Sequence, residues 1–518
     1  MNRILETDFK NCLYSLIKMV VLISLLTLAA QTVIGPGKVM ASSGAASYSI
    51  SLDLIGDVEE PVKLENIFDF QGLETIEHQG QEIEVIPLKS IIEKAKPWTD
   101  QYNIYCQAVD GFAVEISGER LEESYLTWNQ TNGWEAINFQ HPVSSNIKDI
   151  EKLVIIAEDA SLDDSFNLIE PGRNLVSLTP GQVIKAGLNQ GRIIRGSSAI
   201  EVDSTELKVT TYYNKEFLDL DKYYNFNNRS DNALVIGQEG EVIDFRQDGR
   251  FSVNKNTISY LEGDDVEIDE VAGVVFDPPK RMITDIYSEI RNFLAKDEKV
   301  LVFLIDGFGH HQYELTKAEG YIPFLASLPE PELTMSAYPS VSPVNLAASL
   351  TGELPHRNGI YERGIRQSEL PTIFADYQEA DKSAAAIIGP MGTIEFEIMP
   401  YFSLDQNNDG STDDEKTERA LEELKKDHEL VFVHYKDIDS YGHTYGPMAA
   451  ETLDQISKIE SYLKELVERW DGQVIIYSDH GMHDLENSNG NKLGDHGSLR
   501  TEDMFTPSWI FDGGEINE

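Results

Sequence analysis

Cysteine, basic residues and long apolar runs are all scarce in this chain. Its 518 residues include two cysteines, and Cys12 lies in a segment typical of an export signal, which leaves Cys106 without a partner. An exported chain with one thiol has no internal disulfide, so its stability must come from packed cores or bound metals. No segment beyond residue 34 is apolar enough to span a membrane.

Basic residues are outnumbered by acidic ones, 42 Lys and Arg against 89 Asp and Glu, which gives a formal net charge of −47. A field of this sign repels nucleic acids and anionic lipids, so we expect no binding to nucleic-acid polymers. The charge fits a solvated surface suited to a salty or alkaline medium.

The first 41 residues predict a signal peptide. Lys10 and Lys18 precede the apolar run from Met19 to Ile34, and Val39-Met40-Ala41 offers small residues at the positions that a signal peptidase reads. An uncleaved membrane anchor is the alternative, because the run approaches spanning length. In both cases we expect the protein to be secreted or held at the extracytoplasmic surface.

The chain is too long for one core, and its pattern changes along its length. Residues 42–160 and 161–285 predict two β-rich or α+β regions, with a strand at Tyr48 to Leu54 and a helix at Leu88 to Ala95. Pro278-Pro279 marks a boundary. Residues 286–518 then alternate buried strands with amphipathic helices, which predicts an α/β domain whose mostly parallel sheet is covered by helices on both faces. Its predicted strands and helices are Val300–Ile305, Ala384–Ile388, Leu430–Val433 and Val474–Tyr477, and Glu415–Lys426 and Ala450–Trp470.

Candidate metal ligands follow the strands of this last domain. Carboxylates and imidazoles are ligands that zinc takes, and two metals can hold the attacking and leaving oxygens of an in-line displacement. Because α/β enzymes bind ligands at strand ends, the set predicts a two-metal phosphoryl-transfer site, with Gly442 and Gly481 allowing tight loops beside it. Its members are Asp306, Ser342, Asp439, His443, Asp479, His480 and His496.

Ser342 is the candidate nucleophile. Pro343 suits the first position of a helix, which predicts Ser342 at the N-cap, beside free backbone N–H groups that suit a phosphate. Metal coordination can ionise a serine hydroxyl, and Asn345, one turn on, could donate its amide to a phosphoryl oxygen. Taken alone, Ser342 has a simpler explanation as a helix cap, so the assignment depends on the whole set.

Five pieces of the sequence carry a family resemblance: Ile305–Phe308, Pro339–Gly352, Asp439–Pro447, Ser478–Met482 and Asp495–Gly497. Over residues 298–512 they resemble the alkaline phosphatase superfamily, and most closely its nucleotide pyrophosphatase/phosphodiesterase branch. The resemblance implies an alkaline phosphatase-like fold and hydrolysis of small phosphodiester or nucleotide-type substrates through a phosphoseryl intermediate at Ser342. It also implies two zinc ions, with manganese or another divalent metal as alternatives, one held by Asp439, His443 and His496 and the other by Asp306, Asp479, His480 and the Ser342 oxygen.

Two departures from the branch leave the ester class open. The branch usually carries threonine followed by Phe-Pro-Asn, whereas this chain has Ser342-Pro-Val-Asn345, and Asn358-Gly-Ile stands where His-Gly-Ile is common. A phosphomonoesterase or phosphonate hydrolase on the same scaffold is therefore an alternative. The alternative from another class is a cell-surface ligand-binding protein whose back domain is non-catalytic, and the intact ligand set argues against it.

The stretch Asp405 to Asp413 resembles the front half of a calcium loop, with aspartate or asparagine at alternate positions and Gly410 sixth. The bidentate glutamate expected at the twelfth position is replaced by Lys416, and Glu415 comes one place early. A solvated loop that caps the helix from Glu415 is the simpler interpretation.

At Val58 to Pro61, Ile86 to Ile92 and Ala108 to Phe112, residues 48–159 resemble the molybdopterin-binding domain of sulfite oxidase-like proteins. A molybdenum site there uses a cysteine thiolate, whereas Cys106 stands in a predicted strand outside that family's cysteine motif. We therefore expect a relative without molybdopterin, used for spacing or for binding a cell-wall or surface ligand, with Cys106 as a small buried hydrophobe.

Overall fold

The protein is described by a computed structural model over residues 51–158, 165–202, 205–224, 232–246, 248–263, 265–390, 392–486 and 492–516. The predicted signal peptide lies outside these ranges. Within them, no helix is both long enough and apolar enough to cross a membrane.

The front region forms two antiparallel or mixed sheets around one helix. Its elements are β1 (Leu52–Gly56), β2 (Val62–Leu64), β3 (Glu74–His78), β4 (Gln81–Pro87), α1 (Leu88–Ala95), β5 (Tyr102–Ala108), β6 (Ala113–Ser117), β7 (Ser124–Asn129), β8 (Gly133–Asn138) and β9 (Ile150–Ala157). The strand orders are β2-β1-β9-β5-β6 and β3-β4-β7-β8. One face of α1 is buried in the core between them, through Ile91, Ile92 and Ala95.

Three predictions about this region can be compared with the structure. The helix occupies the predicted residues, and β1 begins at Leu52, with residues 48–50 outside the described ranges. Cys106 lies in β5 with 2% of its surface exposed, and burial raises the pKa of its thiol to about 12. A thiol this buried behaves as a hydrophobe, as predicted. The resemblance to molybdopterin-binding domains stays a prediction.

The middle region is built almost entirely of strands. Its elements are β10 (Phe166–Glu170), β11 (Arg173–Leu178), α2 (Pro180–Ala186), β12 (Asn189–Val202), β13 (Thr205–Phe217), β14 (Ala233–Gly237), β15 (Val242–Asp244), β16 (Gly249–Asn254), β17 (Thr257–Glu262), β18 (Asp265–Ile268) and β19 (Val271–Phe276). They form two sheets of order β11-β10-β19-β14-β15 and β12-β13-β16-β17-β18. This confirms the β-rich character expected from the sequence.

The back region alternates strands and helices. Its elements are β20 (Arg281–Met282), α3 (Asp285–Ala295), β21 (Val300–Ile305), α4 (His310–Glu319), β22 (Glu332–Met335), α5 (Ser342–Thr351), α6 (Pro355–Asn358), α7 (Ile373–Glu379), β23 (Ala384–Ile388), β24 (Tyr401–Phe402), α8 (Asp413–Glu423), β25 (Leu430–Tyr435), α9 (Asp437–Tyr445), α10 (Ala450–Val467), β26 (Gln473–Ser478), β27 (His483–Glu486), β28 (Lys492–Asp495), α11 (Thr501–Met504), β29 (Phe505–Asp512) and α12 (Gly513–Ile516).

Eight of these strands form one sheet of order β20-β22-β29-β26-β21-β25-β23-β24. Every neighbouring pair is parallel except the two that involve β29, which runs antiparallel to β22 and β26. Helices α3, α5 and α7 pack on one face, and α8 and α10 pack on the other. The predicted α/β fold with a mostly parallel, doubly covered sheet is confirmed, and all four predicted strands are present.

Three helix boundaries differ from the prediction because apolar periodicity does not mark capped ends sharply. The first of the two helices is Asp413–Glu423 rather than Glu415–Lys426, and the second ends at Val467 rather than Trp470. The large sheet already begins at Arg281, directly after Pro278-Pro279.

The middle region packs against the segment that surrounds His496. Ile169, Ile236 and Val275 share a buried cluster with Leu499 and Phe505 of the back region. Polar contacts accompany this core, since Gly172 N donates to Thr501 Oγ1 at 2.8 Å and Asn174 Nδ2 donates to Glu502 Oε2 at 2.7 Å. The middle region therefore supports one wall of the site described below.

Candidate metal centre

Three central strands end at the same level and deliver the site. The register pairs Ile305 of β21 with Tyr435 of β25 and with Ser478 of β26. Asp306 and Asp479 each follow one of these ends directly, and α9 begins two residues after the third. All three strands are almost wholly buried, so the polar residues at their ends are fixed by the core beneath them.

Asp306 is the centre of the first group of side chains. It is completely buried, and its Oδ1 accepts from Ser342 Oγ at 3.2 Å while lying 3.4 Å from His480 Nε2. Ser342 Oγ is also 3.2 Å from His480 Nε2. On the other side, His434 Nε2 donates to Asp306 Oδ2 at 3.0 Å. Asp479 Oδ2 lies 3.6 Å from His480 Nε2 and completes the group.

Asp439 is the centre of the second group. Its Oδ1 lies 3.3 Å from Nε2 of both His443 and His496. The rings of His480 and His496 stack with centroids 3.8 Å apart, so the two groups are contiguous. The structure thus brings together all seven residues predicted for the metal site.

The three histidines share one hydrogen-bonding arrangement. Nδ1 of His443, His480 and His496 lies 2.9 Å from the carbonyl oxygens of Gly494, Gly481 and Ser340, respectively. A carbonyl oxygen only accepts, so each Nδ1 carries a proton, and in the neutral form of each ring Nε2 has a free lone pair. Anchoring one ring nitrogen and leaving the other free toward carboxylates is the arrangement of metal-binding histidines.

Two buried carboxylate oxygens support this reading. Asp439 Oδ1 and Asp479 Oδ2 have no hydrogen-bond partner, although histidine Nε2 atoms lie close to both. Asp479 Oδ1, in contrast, accepts from the backbone N–H groups of Gly307 at 3.2 Å and His480 at 3.0 Å. Leaving a buried charged oxygen unpaired is costly, and a cation removes that cost.

Ligand atoms of two triads lie within 4.8 Å of one another: Asp306 with Asp479 and His480, and Asp439 with His480 and His496. The residues present therefore fit two divalent cations. The triads differ from the predicted division in two respects: His480 belongs to both, and His443, whose Nε2 lies 3.3 Å from Asp439 Oδ1, belongs to neither.

The electrostatics of the buried carboxylates in the site also favour bound cations. Burial, followed by the negative charge of Asp306, raises the pKa of Asp479 above its ordinary range. Burial opposes the charged form of Asp306 as well, but the neighbouring imidazoles of His434 and His480 lower the pKa of Asp306 well below the usual value. Three carboxylates that are buried side by side repel one another, and divalent ions would neutralise that repulsion.

Ser342 lies one residue further into the helix than predicted. Val341 is the N-cap of α5, Ser342 is the first helical residue, and its side chain is 6% exposed. The shift arises because Pro343 occupies the second helical position. The fixed φ of proline is compatible with that position as well as with the first. Ser342 still stands at the positive end of the helix dipole, where an anion is stabilised.

Asn345 has a different contact set from the one predicted. Its Oδ1 accepts from Ala337 N at 2.7 Å, and its Nδ2 donates to the carbonyls of Ala337 at 3.1 Å and Val341 at 3.2 Å. The residue is completely buried. These backbone acceptors occupy its amide, so in this structure it pins the turn that precedes Ser342 instead of facing the nucleophile.

Asp439 and His443 lie on a helix and not in the predicted loop. They are four residues apart on α9, and this spacing places both side chains on one helix face. Gly442 is required for packing, because a Cβ there would lie 2.4 Å from Met482 Sδ. Gly307 has a related role at the neighbouring strand end: its φ is +78°, and a Cβ would meet Asp439 Cα at 2.9 Å.

Sequence reasoning missed two residues of the site. His434 lies in β25 (Leu430–Tyr435), whose other residues are apolar or aromatic. This interruption of the apolar run was the signal available in the sequence. Arg363 is exposed, and its Nη2 lies 3.3 Å from both the Nε2 and the carbonyl oxygen of His496. Nothing in the local sequence connects Arg363 with His496, 133 residues away.

Comparison with known proteins identifies this part of the chain. Residues 300–504 match the model of the family described as type I phosphodiesterase / nucleotide pyrophosphatase. Over these residues the chain is similar to that family. The matched residues include every member of the two triads, and the resemblance drawn from the five sequence pieces is confirmed.

The individual proteins that this chain resembles are distant from it in sequence. GPI ethanolamine phosphate transferase 1 of Yarrowia lipolytica is 31% identical over 125 residues, which is 22% of this chain and 12% of that protein. An inactive variant of murine ectonucleotide pyrophosphatase/phosphodiesterase 5 in complex with AMP is 18% identical, with a TM-score of 0.32, and the alignment covers 37% of this chain and 59% of that one. Phosphonoacetate hydrolase from Sinorhizobium meliloti in complex with phosphonoformate is 16% identical, with a TM-score of 0.31 and coverage of 38% and 59%.

Proposed function

We propose that the protein is a metal-dependent phosphohydrolase that cleaves small phosphodiester or nucleotide-type substrates with Ser342 as the nucleophile. The observation that carries the proposal is the position of Ser342 Oγ, 3.2 Å from Asp306 Oδ1 and 3.2 Å from His480 Nε2, between two triads of metal-binding side chains. The family match supports phosphodiester hydrolysis as the general reaction.

Zinc or another divalent ion, held by Asp306, Asp479 and His480 and by Asp439, His443 and His496, would ionise the serine hydroxyl and neutralise charge on the phosphoryl group. Ser342 Oγ gives its proton to solvent and forms a bond to phosphorus while the bond to the leaving oxygen breaks, and the leaving oxygen takes a proton from solvent. A water oxygen then forms a bond to phosphorus as the Ser342 Oγ–phosphorus bond breaks. One proton of that water returns to Ser342 Oγ, and the phosphate product is released.

The other side chains hold this arrangement in place. His434 fixes one oxygen of Asp306 and so directs the other toward Ser342. Asn345 pins the backbone of Ala337 and Val341, which sets the entry of α5 and the position of its first residue. The dipole of α5 adds positive potential where phosphate oxygens would lie.

Arg363 favours a second candidate, a phosphomonoesterase or phosphonate hydrolase on the same scaffold. Its guanidinium lies beside His496 and is exposed, and within the described residues no carboxylate forms an ion pair with it. A guanidinium binds two oxygens of one phosphoryl group at once, and it favours a dianionic terminal phosphate over a monoanionic diester.

We further propose that the reaction takes place outside the cytoplasm, on the strength of the N-terminal apolar segment. The front and middle regions would then present the catalytic domain at the cell surface or to a cell-wall ligand. Fractionation of cells that produce the full chain tests this: catalytic activity confined to the cytoplasm would contradict it.

The test of the reaction is a substrate panel with the purified full chain. Nitrophenyl mono- and diesters, a phenylphosphonate and a dinucleotide are each assayed after metal removal and after addition of zinc. We expect turnover of at least one substrate with zinc and none without it. Ser342→Ala should abolish turnover and leave zinc binding in place, whereas Ser349→Ala, in the same helix but bonded to Tyr477, should stay active. Full activity of Ser342→Ala would refute the assignment of the nucleophile.

A further inference from the structure

A loop outside the metal centre has the composition of a hard-cation site. Residues 405–415, which we call the 405–415 loop, connect β24 to the first turn of α8. Aspartate or asparagine occupies the first, third and fifth positions, and Gly410 follows. The loop contains no histidine or cysteine, so any ion it binds must prefer oxygen ligands.

The backbone of the loop curls around the carboxylate of Asp405. Asp405 Oδ1 accepts from Asp409 N at 3.2 Å, and its Oδ2 accepts from Gly410 N at 3.0 Å. Two residues with positive φ, Asn408 at +60° and Gly410 at +90°, make the curl possible. Asx turns explain this shape without an ion, so the shape alone does not establish a site.

Glu415 supplies an independent observation. Its side chain is 8% exposed and its Oε1 accepts from Gln406 N at 2.8 Å, which turns the carboxylate back toward the loop. Its Oε2 is buried and has no hydrogen-bond partner. Asp414 Oδ1 is likewise buried without a partner, while Asp414 Oδ2 accepts from Asn407 Nδ2 at 2.8 Å.

No lysine or arginine of the described residues forms an ion pair with Glu415 or Asp414, although Lys458 lies near enough to Asp409 and Asp414 to interact with them electrostatically. Lys416, the nearest in sequence, is buried in an ion pair with Asp413 at 2.7 Å. Across the described part of the chain, no lysine or arginine forms an ion pair with Asp405, Asp409 or Glu415. A buried carboxylate oxygen that faces an acidic loop and has no partner is costly, and a bound cation is the usual remedy.

We propose that the 405–415 loop binds one Ca²⁺ through Asp405, Asn407, Asp409 and Glu415. Calcium accepts six to eight oxygen ligands in flexible geometry, whereas Mg²⁺ demands a tighter octahedron. Glu415 takes the part that a twelfth-position glutamate has in a calcium loop. Glu415 stands at the eleventh position of the loop, one residue before the position of that glutamate. Because α8 already begins at Asp413, the helical turn brings the carboxylate of Glu415 back to Gln406.

The site connects to the metal centre through the start of α9. Ser411 Oγ donates to Asp437 Oδ2 at 2.5 Å, and Asp413 Oδ2 accepts from Asp437 N at 2.9 Å. Asp437 is the first residue of α9, the helix that carries Asp439 and His443. Calcium in the loop therefore stiffens the base of that helix and raises the thermal stability of the back domain.

The test is calorimetric titration of the zinc-loaded full chain, freed of calcium, with CaCl2 and separately with MgCl2. We expect one calcium site per chain, with a Kd of about 0.1 to 1 mM as in extracellular calcium modules, and at least tenfold weaker binding of magnesium. Calcium at saturation should raise the melting temperature.

Variants decide which residues bind the ion. Asp409→Asn, at an exposed position, and Glu415→Gln should each weaken calcium binding at least tenfold, while Glu418→Gln, exposed on the same helix, should match the unaltered protein. Asp439→Ala should lose a zinc ion and keep the calcium site, which separates this proposal from the proposed catalytic function. Absence of calcium binding at 10 mM, or unchanged affinity in both Asp409→Asn and Glu415→Gln, would overturn the proposal; 10 mM is about tenfold above the weakest expected Kd.

Discussion

Replacement of His434 by alanine removes a hydrogen bond that sequence reasoning did not anticipate. His434 Nε2 donates to Asp306 Oδ2 at 3.0 Å, and the two side chains are 4% and 0% exposed, so water cannot take the place of the imidazole without reorganisation. Loss of a partner to a metal-binding carboxylate costs about 10- to 100-fold in metal affinity. That range corresponds to about 1.4 to 2.7 kcal/mol, which agrees with the desolvation cost of one unpaired buried acceptor, about 1 to 3 kcal/mol.

The assay for this variant is competition for zinc against a chelator of known affinity, combined with turnover as a function of free zinc. We expect His434→Ala to need about 10- to 100-fold more free zinc for half-maximal turnover. Excess zinc should restore most of the rate, and His434→Gln, which keeps a donor, should retain part of the affinity. His356→Ala, at an exposed position, is the control. Zinc affinity in His434→Ala equal to that of the unaltered protein would refute the positioning role of His434.

Three other predictions concern separate features. Arg363→Ala should raise KM for a phosphomonoester about tenfold or more, and less for a diester, because a charge-assisted hydrogen bond contributes about 1.5 to 3 kcal/mol. Steady-state kinetics on matched nitrophenyl mono- and diesters measures the two KM changes, and equal changes for both esters would contradict the assigned role of Arg363. Gly307→Ala should lower the free energy of unfolding by at least about 1 to 2 kcal/mol from the positive φ alone, with further loss from contact with Asp439. Denaturant titration measures this free energy, and unchanged stability would contradict the close packing. Cys106, buried and with its pKa raised to about 12, should resist thiol reagents in the folded protein and react in denaturant; rapid labelling without denaturant would show that the front core opens.

The fold of the back domain could be predicted because its central strands are continuous apolar runs. Val300–Ile305 and Val474–Tyr477 are buried on both faces, and only a covered parallel sheet offers that environment. The antiparallel strand Phe505–Asp512 was not predicted, since its polar and apolar residues follow no clean period and its place is set by pairing with Glu332–Met335 and Gln473–Ser478. Pairing between distant segments leaves no local signal.

The candidate site was likewise predictable from the sequence only in part. Its seven predicted residues could be found because all lie in short segments that follow a buried strand or begin a helix in sequence. Asp437–Tyr445 was not predicted to be helical because Gly442 and two tyrosines lower its intrinsic propensity, and packing against Met482 overrides that preference. The contacts of Asn345, His434 and Arg363 depend on side chains brought together by the fold, so the sequence could not assign them.

The central claim is that Ser342 becomes phosphorylated during turnover. The direct measurement is mass spectrometry of peptides from the zinc-loaded protein, quenched with acid while it turns over its best substrate. We predict one phosphate on the peptide that contains Ser342, absent without zinc and absent from Ser342→Ala. Full turnover with no phosphate on that peptide, or with phosphate on another residue, would contradict the account.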